Sequence, residues 1–246
     1  MHTACNALYT FLFIHEKRGK KAHQDGTSIL PTFENWAIHD CFATYFTYLQ
    51  AKHGLCNAHL LRELQFQKDN AKLWAAQIHE FLIDLYIRTQ KGTIPIENIQ
   101  LEKEKWQKLC TQAINAEEII LTTCSTRPIN QDDSLRDTQN TTKKRGRKPR
   151  GKALTLLDRL LKHTDSILAF AEFQAVPFTN NQAERDIRPI KTKLKISGCF
   201  RTADGAKRYA RIQSFISTCR KNNINVFEQL KLLAFQQISY KAPFGC

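Results

Sequence analysis

The spacing of hydrophobic positions changes several times along the chain, and each change predicts an element. Ala7 to Ile14 is an aromatic and apolar run without alternation, the pattern of a strand buried on both faces of a sheet. It ends at the charged turn Glu16 to Gly19. Trp36 to Ile38 is a second short apolar run, ending in His39 and Asp40; apolar and aromatic residues at 42, 45, 46 and 49 then predict a helix. Asp40 is thereby set between a strand end and a helix start. From Leu60 to about Thr123 the period is helical. Leu64, Leu73, Trp74, Ile78, Phe81, Leu82 and Leu85 recur at three-to-four spacing, a second helix covers Glu102 to Leu121, and Ile94 to Ile99, with Pro95, is the break between them. Residues 125–152 lose apolar content and read as a mobile segment. Helical spacing returns through Leu154, Leu157, Leu160, Leu161, Thr164 and Leu168, and stops before Pro177.

The stretch from Val176 to Pro189 has its own grammar. Thr179, Asn180 or Asn181 can cap a helix, and Glu184, Arg188, Lys191 and Lys195 follow at intervals of four, three and four. These four share a face if the helix continues past Pro189, which lacks an amide donor and permits this only with a kink or a new first turn. Leu194 to Ile196 reads equally as a short strand or as more of that helix. Further on, Asp204 is a candidate cap for a helix with Tyr209, Ile212, Phe215, Ile216 and Cys219 on its apolar side. Val226, Leu230, Leu233 and Phe235 suggest a last helix, and Phe200, Phe215 and Phe235 read as core side chains rather than base-stacking platforms.

Composition narrows the class. The 246 residues suffice for one or two cores, and 42% hydrophobic with 24% charged residues describes a folded chain rather than a disordered or fibrous one. No apolar run reaches the roughly 20 residues that span a bilayer. The first apolar run precedes Lys17, Arg18, Lys20 and Lys21, the reverse of a signal peptide, so a cytoplasmic protein with no membrane-spanning segment is expected. Charge is more telling when divided. Residues 1–142 carry 15 Lys and Arg against 16 Asp and Glu, whereas residues 143–246 carry 22 against 7, so the whole excess of +14 lies in the second part. Such an asymmetry suits a polyanion: DNA first, an anionic membrane surface as the alternative. The eight cysteines include no Cys-x-x-Cys pair and are expected to be reduced. His53, Cys56 and His59, with His39 and Cys41, form the nearest approach to a zinc ligand set; the competing reading is a polar strand-to-helix junction around a buried thiol.

Two carboxylates stand out chemically. Asp40 ends a predicted strand, where ligands and metals gather in mixed α/β folds, and Glu184 opens a helix rich in cations. Phosphoryl transfer by two magnesium ions needs converging carboxylate oxygens, and these are the best candidates for two of them. Each has a plainer explanation as well: a helix cap for Asp40, and an intrahelical pair with Arg188 for Glu184.

The segments Gly54-Leu-Cys-Asn-Ala-His-Leu-Leu-Arg-Glu-Leu64, Val176-Pro-Phe-Thr-Asn-Asn-Gln-Ala-Glu-Arg185 and Lys195-Ile-Ser-Gly-Cys-Phe-Arg201 resemble the transposase of the insertion-sequence-66 family, and the likeness runs from residue 1 to about 237. The resemblance implies an α/β protein with an incomplete ribonuclease H-like fold, a large all-helical insertion and carboxy-terminal helices. Its parts would be a first piece of the core over 1–59, the insertion over 60–124, a flexible basic linker over 125–152, a helix returning to the core over 153–175, the second piece of the core with terminal helices over 176–237, and a tail over 238–246. It implies a DDE-type enzyme that cuts and joins DNA with magnesium, with Asp40 as second and Glu184 as third carboxylate. Relatives carry a first Asp in an Asp-Glu-Thr-like segment; here Asp25 is the only Asp before Asp40, in a polar run with no strand ahead of it. The expectation is therefore an amino-terminally truncated catalytic domain, inactive or severely impaired alone, in which Ala7 to Ile14 or its partner strand is left more exposed. The alternative is a noncatalytic DNA-binding or regulatory remnant that associates with intact transposase or other element-encoded proteins. DNA contacts are expected from the tract Lys143, Lys144, Arg145, Arg147, Lys148, Arg150 and Lys152, whose Arg-Gly-Arg resembles a minor-groove hook, and from Arg185, Arg188, Lys191, Lys193, Lys195, Arg201, Lys207, Arg208 and Arg211.

Overall fold

A computed structural model of the chain describes residues 1–17, 19–24, 28–125 and 151–235. Asp25, most of the 125–152 segment with the cations from Lys143 to Arg150, and the 238–246 tail lie outside the described residues. Among the described residues the architecture is mixed α/β, with two small sheets and many helices. The chain groups into two units, and these interleave in sequence: one consists of Met1–Asn35, Phe42–Lys52 and Asn180–Cys246, the other of Trp36–Cys41 and His53–Thr179.

In the first unit, β1 (His2–Cys5) and β2 (Thr10–Phe13) form an antiparallel hairpin with His2 opposite Phe13 and Cys5 opposite Thr10. The strand predicted over Ala7 to Ile14 is shorter because its first residues make the turn. Asn6 Oδ1 accepts the amides of Leu8 and Tyr9 at 2.9 and 2.7 Å, an Asx turn that consumes those amides before the ladder begins. A one-turn helix α1 (Lys20–His23) follows. The unit is completed by α7 (Asn181–Ser197), α8 (Ala203–Lys221) and α9 (Val226–Phe235). Leu12, Ile190 and Ala210 form a core cluster in it, with Met1, Ile14 and Tyr209 packed around them.

The outer edge of β2 is closed by a helix. Ser214 and Thr218, one turn apart on α8, accept the amides of Leu12 and Thr10 at 2.9 and 3.1 Å. Two residues of strand rise about 6.6 Å and four of helix about 6 Å, so hydroxyls at i and i+4 match alternate strand amides. The unpaired strand edge expected from sequence is thus satisfied on this side by side chains.

The helix predicted after Asp40 does not form. Residues 42–49 contain only a single 3₁₀ turn, Tyr45–Thr47, as expected where aromatic and β-branched residues lower helix propensity. In α8 the cap is Thr202, whose hydroxyl accepts from the Gly205 amide at 3.0 Å, while Asp204 lies in the first turn. The apolar side of α8 is also shifted: Ala206, Ala210 and Cys219 are buried and Ile212 is 49% exposed. Helix α9 exists as predicted but buries none of its residues, and Phe235 is 80% exposed rather than part of a core.

The second unit holds β3 (Trp36–His39) and β4 (Lys52–Leu55), then α2 (Asn57–Asp69), α3 (Leu73–Thr89), α4 (Ile96–Ser125), α5 (Lys152–Lys162) and α6 (Thr164–Glu172). Helix α4 begins directly after Pro95 and is longer than its predicted span. The single helical period read across residues 154–168 divides at His163 into α5 and α6. Trp106, fully buried, anchors the bundle and donates its indole N–H to the Leu160 carbonyl at 3.2 Å. Trp74 donates to Glu117 at 2.7 Å, so a carboxylate buried in this bundle is hydrogen-bonded rather than orphaned.

Close approach explains one glycine. A Cβ on Gly54 in β4 would stand 2.7 Å from Ile38 Cδ1 and 3.0 Å from Val176 Cγ1. Gly54→Val is expected to cost about 1–3 kcal/mol through overpacking, with Gly54→Ala milder because the end of Ile38 can turn away. Urea denaturation followed by tryptophan fluorescence checks this; an unchanged midpoint for the valine variant contradicts it.

Candidate active site and nucleic-acid interface

The two sheet strands of the second unit run in the same sense. The Lys52 amide bonds the Asn35 carbonyl at 3.1 Å and the Cys56 amide bonds the His39 carbonyl at 2.9 Å, so the partners advance together along both segments. Asp40 follows β3 immediately, and Cys56 and Asn57 follow β4, which places them at one carboxyl edge. Two of the family-like segments meet there. Asn57 is fully buried; its amide donates to the Phe178 carbonyl at 3.0 Å and its side-chain Nδ2 to the Ile167 carbonyl at 3.1 Å. With Gly54 packed on Val176, the segment after β4 and the segment after α6 form one joint.

A histidine pair braces the residue that precedes Asp40 and the backbone of Asp40 itself. His39 Nδ1 donates to the Asp40 carbonyl, and His39 Nε2 lies 3.0 Å from His53 Nδ1. Burial pushes His39 down to about 4, so near neutrality the ring is uncharged and its Nε2 serves as acceptor. This arrangement uses ring nitrogens of His39 and His53 that a zinc ion would need. Among the described residues no group of three His, Cys, Asp or Glu side chains is placed to hold a metal ion. Cys56 is a buried free thiol at the start of α2, matching the plainer of the two sequence readings.

Glu184 belongs to the first unit, in the first turn of α7. Asn180 occupies the cap position without a side-chain cap bond, and the Glu184 amide reaches the Asn180 carbonyl at 3.5 Å. The helix runs through Pro189, and Leu194 to Ile196 are helical, which resolves both alternatives left by the sequence. Burial of Ile190 and Asp186 fixes one side of α7 against the core. Arg185, Arg188, Lys191 and Lys195 consequently lie exposed, as do Arg201, Lys207, Arg208 and Arg211 around the start of α8 and Lys152 at the start of α5. Lys193 differs from the rest: its ammonium sits 4.3 Å from the Phe200 ring centre and 5.8 Å from that of Tyr209.

Asp186 escaped sequence reasoning. It is 8% exposed, and its carboxylate accepts from Lys221 at 2.7 Å, Thr10 at 2.8 Å, Gln182 at 3.0 Å and Ser217 at 3.2 Å. Burial works against its charge, but Lys221, Thr10 and Gln182 together hold it below the usual carboxylate range. Gln182 at i−4 was the one local hint; Thr10 and Lys221 are distant in sequence. The group is structural, tying the hairpin to α7 and α8.

A mixed α/β protein with exposed cations along α7 and the start of α8 presents a surface complementary to a polyanion. The family model described as "Transposase IS66 family" matches residues 1–208, and the chain belongs to that family, which makes it a transposase-like, DNA-acting protein. No curated protein and no solved structure matches it. Among the described residues no helix is long and apolar enough to cross a membrane.

The exposed row of α7 makes a quantitative prediction. Replacing Arg185, Arg188, Lys191 and Lys195 together by Gln is expected to lower the slope of log affinity for duplex DNA against log salt by about 3–4, close to 0.9 per lost phosphate contact. Fluorescence anisotropy across a salt series measures it, and an unaltered slope contradicts the assignment.

Proposed function

We propose that the chain is the DDE-type catalytic core of a transposase, ribonuclease H-like in fold, in which Asp40 and Glu184 are carboxylates that hold magnesium for DNA strand cleavage and joining. The observation that carries this reading is the position of Asp40 directly after β3, at the carboxyl edge of the parallel pair. Glu184 supports it from the first turn of a helix whose outer row is cationic. Their oxygens are the hard donors that magnesium prefers. When bound, such ions lower the pKa of an attacking water or hydroxyl and stabilise the departing oxygen. The protein's own part is to hold the strand end rigid through Gly54, Asn57 and the His39–His53 pair, and to draw the DNA backbone to α7 and α8 through Coulombic attraction.

By this reading the chain supplies two of the carboxylates, and Asp25 is the only Asp ahead of both. Magnesium with a ligand missing is poorly neutralised and poorly placed, so these 246 residues alone are expected to join transposon ends slower by several orders of magnitude than a complete site would. A strand-transfer assay with magnesium checks this, and robust joining overturns it. Asp40→Asn and Glu184→Gln should each remove whatever magnesium-dependent nicking remains while leaving the melting temperature within a few degrees; nicking that survives both changes overturns the site. DNA binding without nicking under any magnesium concentration favours the second reading, a noncatalytic DNA-binding partner of intact transposase. That reading draws on the exposed cations of α7 and α8, which act independently of the carboxylates.

A further inference from the structure

Isolated exposed apolar side chains are ordinary on protein surfaces. Ile196 is distinguished by its neighbours. It is 79% exposed in the last turn of α7. Buried Asp186 and Ile190 set the direction of the core, and at 100° per residue the solvent side of α7 then carries two adjacent stripes. One is cationic: Arg188, Lys191 and Lys195. The other begins at Arg185 and continues with the uncharged Pro189, Thr192 and Ile196, all exposed. The helix stops at Gly198, whose φ of 68° turns the chain sharply, so Ile196 stands at the end of the stripe. Arg201 follows on the far side of this turn, itself exposed.

The surroundings select the occupant. An apolar protein surface laid on Ile196 would have to desolvate Lys195 and its neighbours without anions to pair them, at considerable cost. A nucleic acid duplex brings phosphates to the cationic stripe and, about one helical position away, a groove through which the apolar faces of a base step are reached once that step opens. We propose that Ile196 is a wedge that enters a groove of bound duplex DNA and partly unstacks one base step, with Lys191, Lys195 and Arg201 holding the flanking phosphates. Insertion of an isolated Ile, Leu, Met or Phe of this kind opens and kinks the duplex, most readily at flexible TA and CA steps. The wedge supplies affinity that salt does not screen, because it buries apolar surface instead of releasing counterions. This inference rests on the DNA-acting reading above and adds to it a distortion of the bound duplex.

The test uses the full chain and a 30-base-pair duplex of TA-rich sequence carrying 2-aminopurine in place of single adenines. Binding is expected to raise 2-aminopurine fluorescence at a TA step. Ile196→Ser should weaken binding about tenfold and abolish the fluorescence rise, with the salt slope unchanged. Ile196→Met should restore both, and the exposure of the site keeps the fold out of the comparison. DNA binding that is equally tight and equally bright with serine overturns the wedge while leaving the DNA-acting reading in place. Failure of the unaltered chain to bind the duplex removes both. A self-association measured by sedimentation that Ile196→Ser dissolves, with DNA affinity unmoved, overturns the wedge in favour of a second copy of the chain.

Discussion

Lys221→Met is expected to destabilise the hairpin unit by about 3–5 kcal/mol, a large part of the 5–15 kcal/mol that holds a typical domain together. The Lys221 ammonium donates to Asp186 Oδ2 at 2.7 Å and to the carbonyls of Asn6 and Tyr9 at 2.9 and 3.1 Å. The two side chains are 9% and 6% exposed, so neither charge has water to fall back on. Methionine keeps most of the volume but leaves the Asp186 carboxylate buried with only neutral donors, and it frees two carbonyls at the hairpin turn. The loss therefore falls on the contact between β2 and the helices, since Thr10 is bonded to Asp186 and its own amide to Thr218. Hydrogen exchange reads it locally: the Thr10 and Leu12 amides should lose protection first. A double variant, Lys221→Met with Asp186→Leu, should recover much of the stability, because it removes the stranded charge along with its partner. Retained protection in the single variant would refute the account. The same pair carries a pH signature. The folded Asp186 carboxyl is held below its ordinary value, so its contribution is complete above that value and is lost as the pH falls through the folded one.

Acidification should weaken the second unit in a different window. His39 is 6% exposed, and burial, opposed in part by its bond to the Asp40 carbonyl, pushes its pKa down to about 4 from the ordinary 6.5. Between those values the unfolded chain takes up a proton that the folded chain refuses, so stability rises with pH there. It is fully present above pH 6.5 and lost as the pH falls towards about 4, with no further change from this group below that. A separation of this size corresponds to roughly 3 kcal/mol. His163 is displaced in the same direction, first by burial and then by Lys162 and Arg159, and steepens the loss. All three tryptophans lie in this unit, so their fluorescence reports its denaturation midpoint at each pH. His39→Gln should flatten the dependence across this window. A midpoint that does not move between pH 6.5 and 4 would count against a neutral buried His39.

The candidate site was legible to the extent that it depended on local pattern. A short apolar run followed by His39-Asp40 was enough to place Asp40 at a strand end, and β3 ends at His39. Intervals of four, three and four were enough to put Glu184, Arg188, Lys191 and Lys195 on one helix, and α7 contains all four. Readings failed where a residue's state depends on a distant partner. The aromatic spacing at 42–49 resembled a helix, but its rings pack in a nonhelical segment: Tyr45 and Tyr48 lie 5.8 and 5.9 Å from His23. Phe235 fits an apolar period, yet it stays exposed in α9, which buries none of its residues.

Period, charge and motif are properties of neighbours along the chain, and they by themselves determined most of the long helices, the strand that ends before Asp40, the cationic second part of the sequence, and membership of a transposase family. Tertiary structure alone decided that Asp186 is a buried ion-pair partner while Glu184, two residues earlier, is only half-buried. It also decided that α8 hydroxyls close the edge of β2, and that Gly54 and Asn57 fasten one family-like segment to another. The physical reason is that burial and hydrogen-bond satisfaction belong to a place in the fold. A carboxylate, a hydroxyl or a glycine has the same local pattern in either role, and only the residues brought against it settle which role it takes.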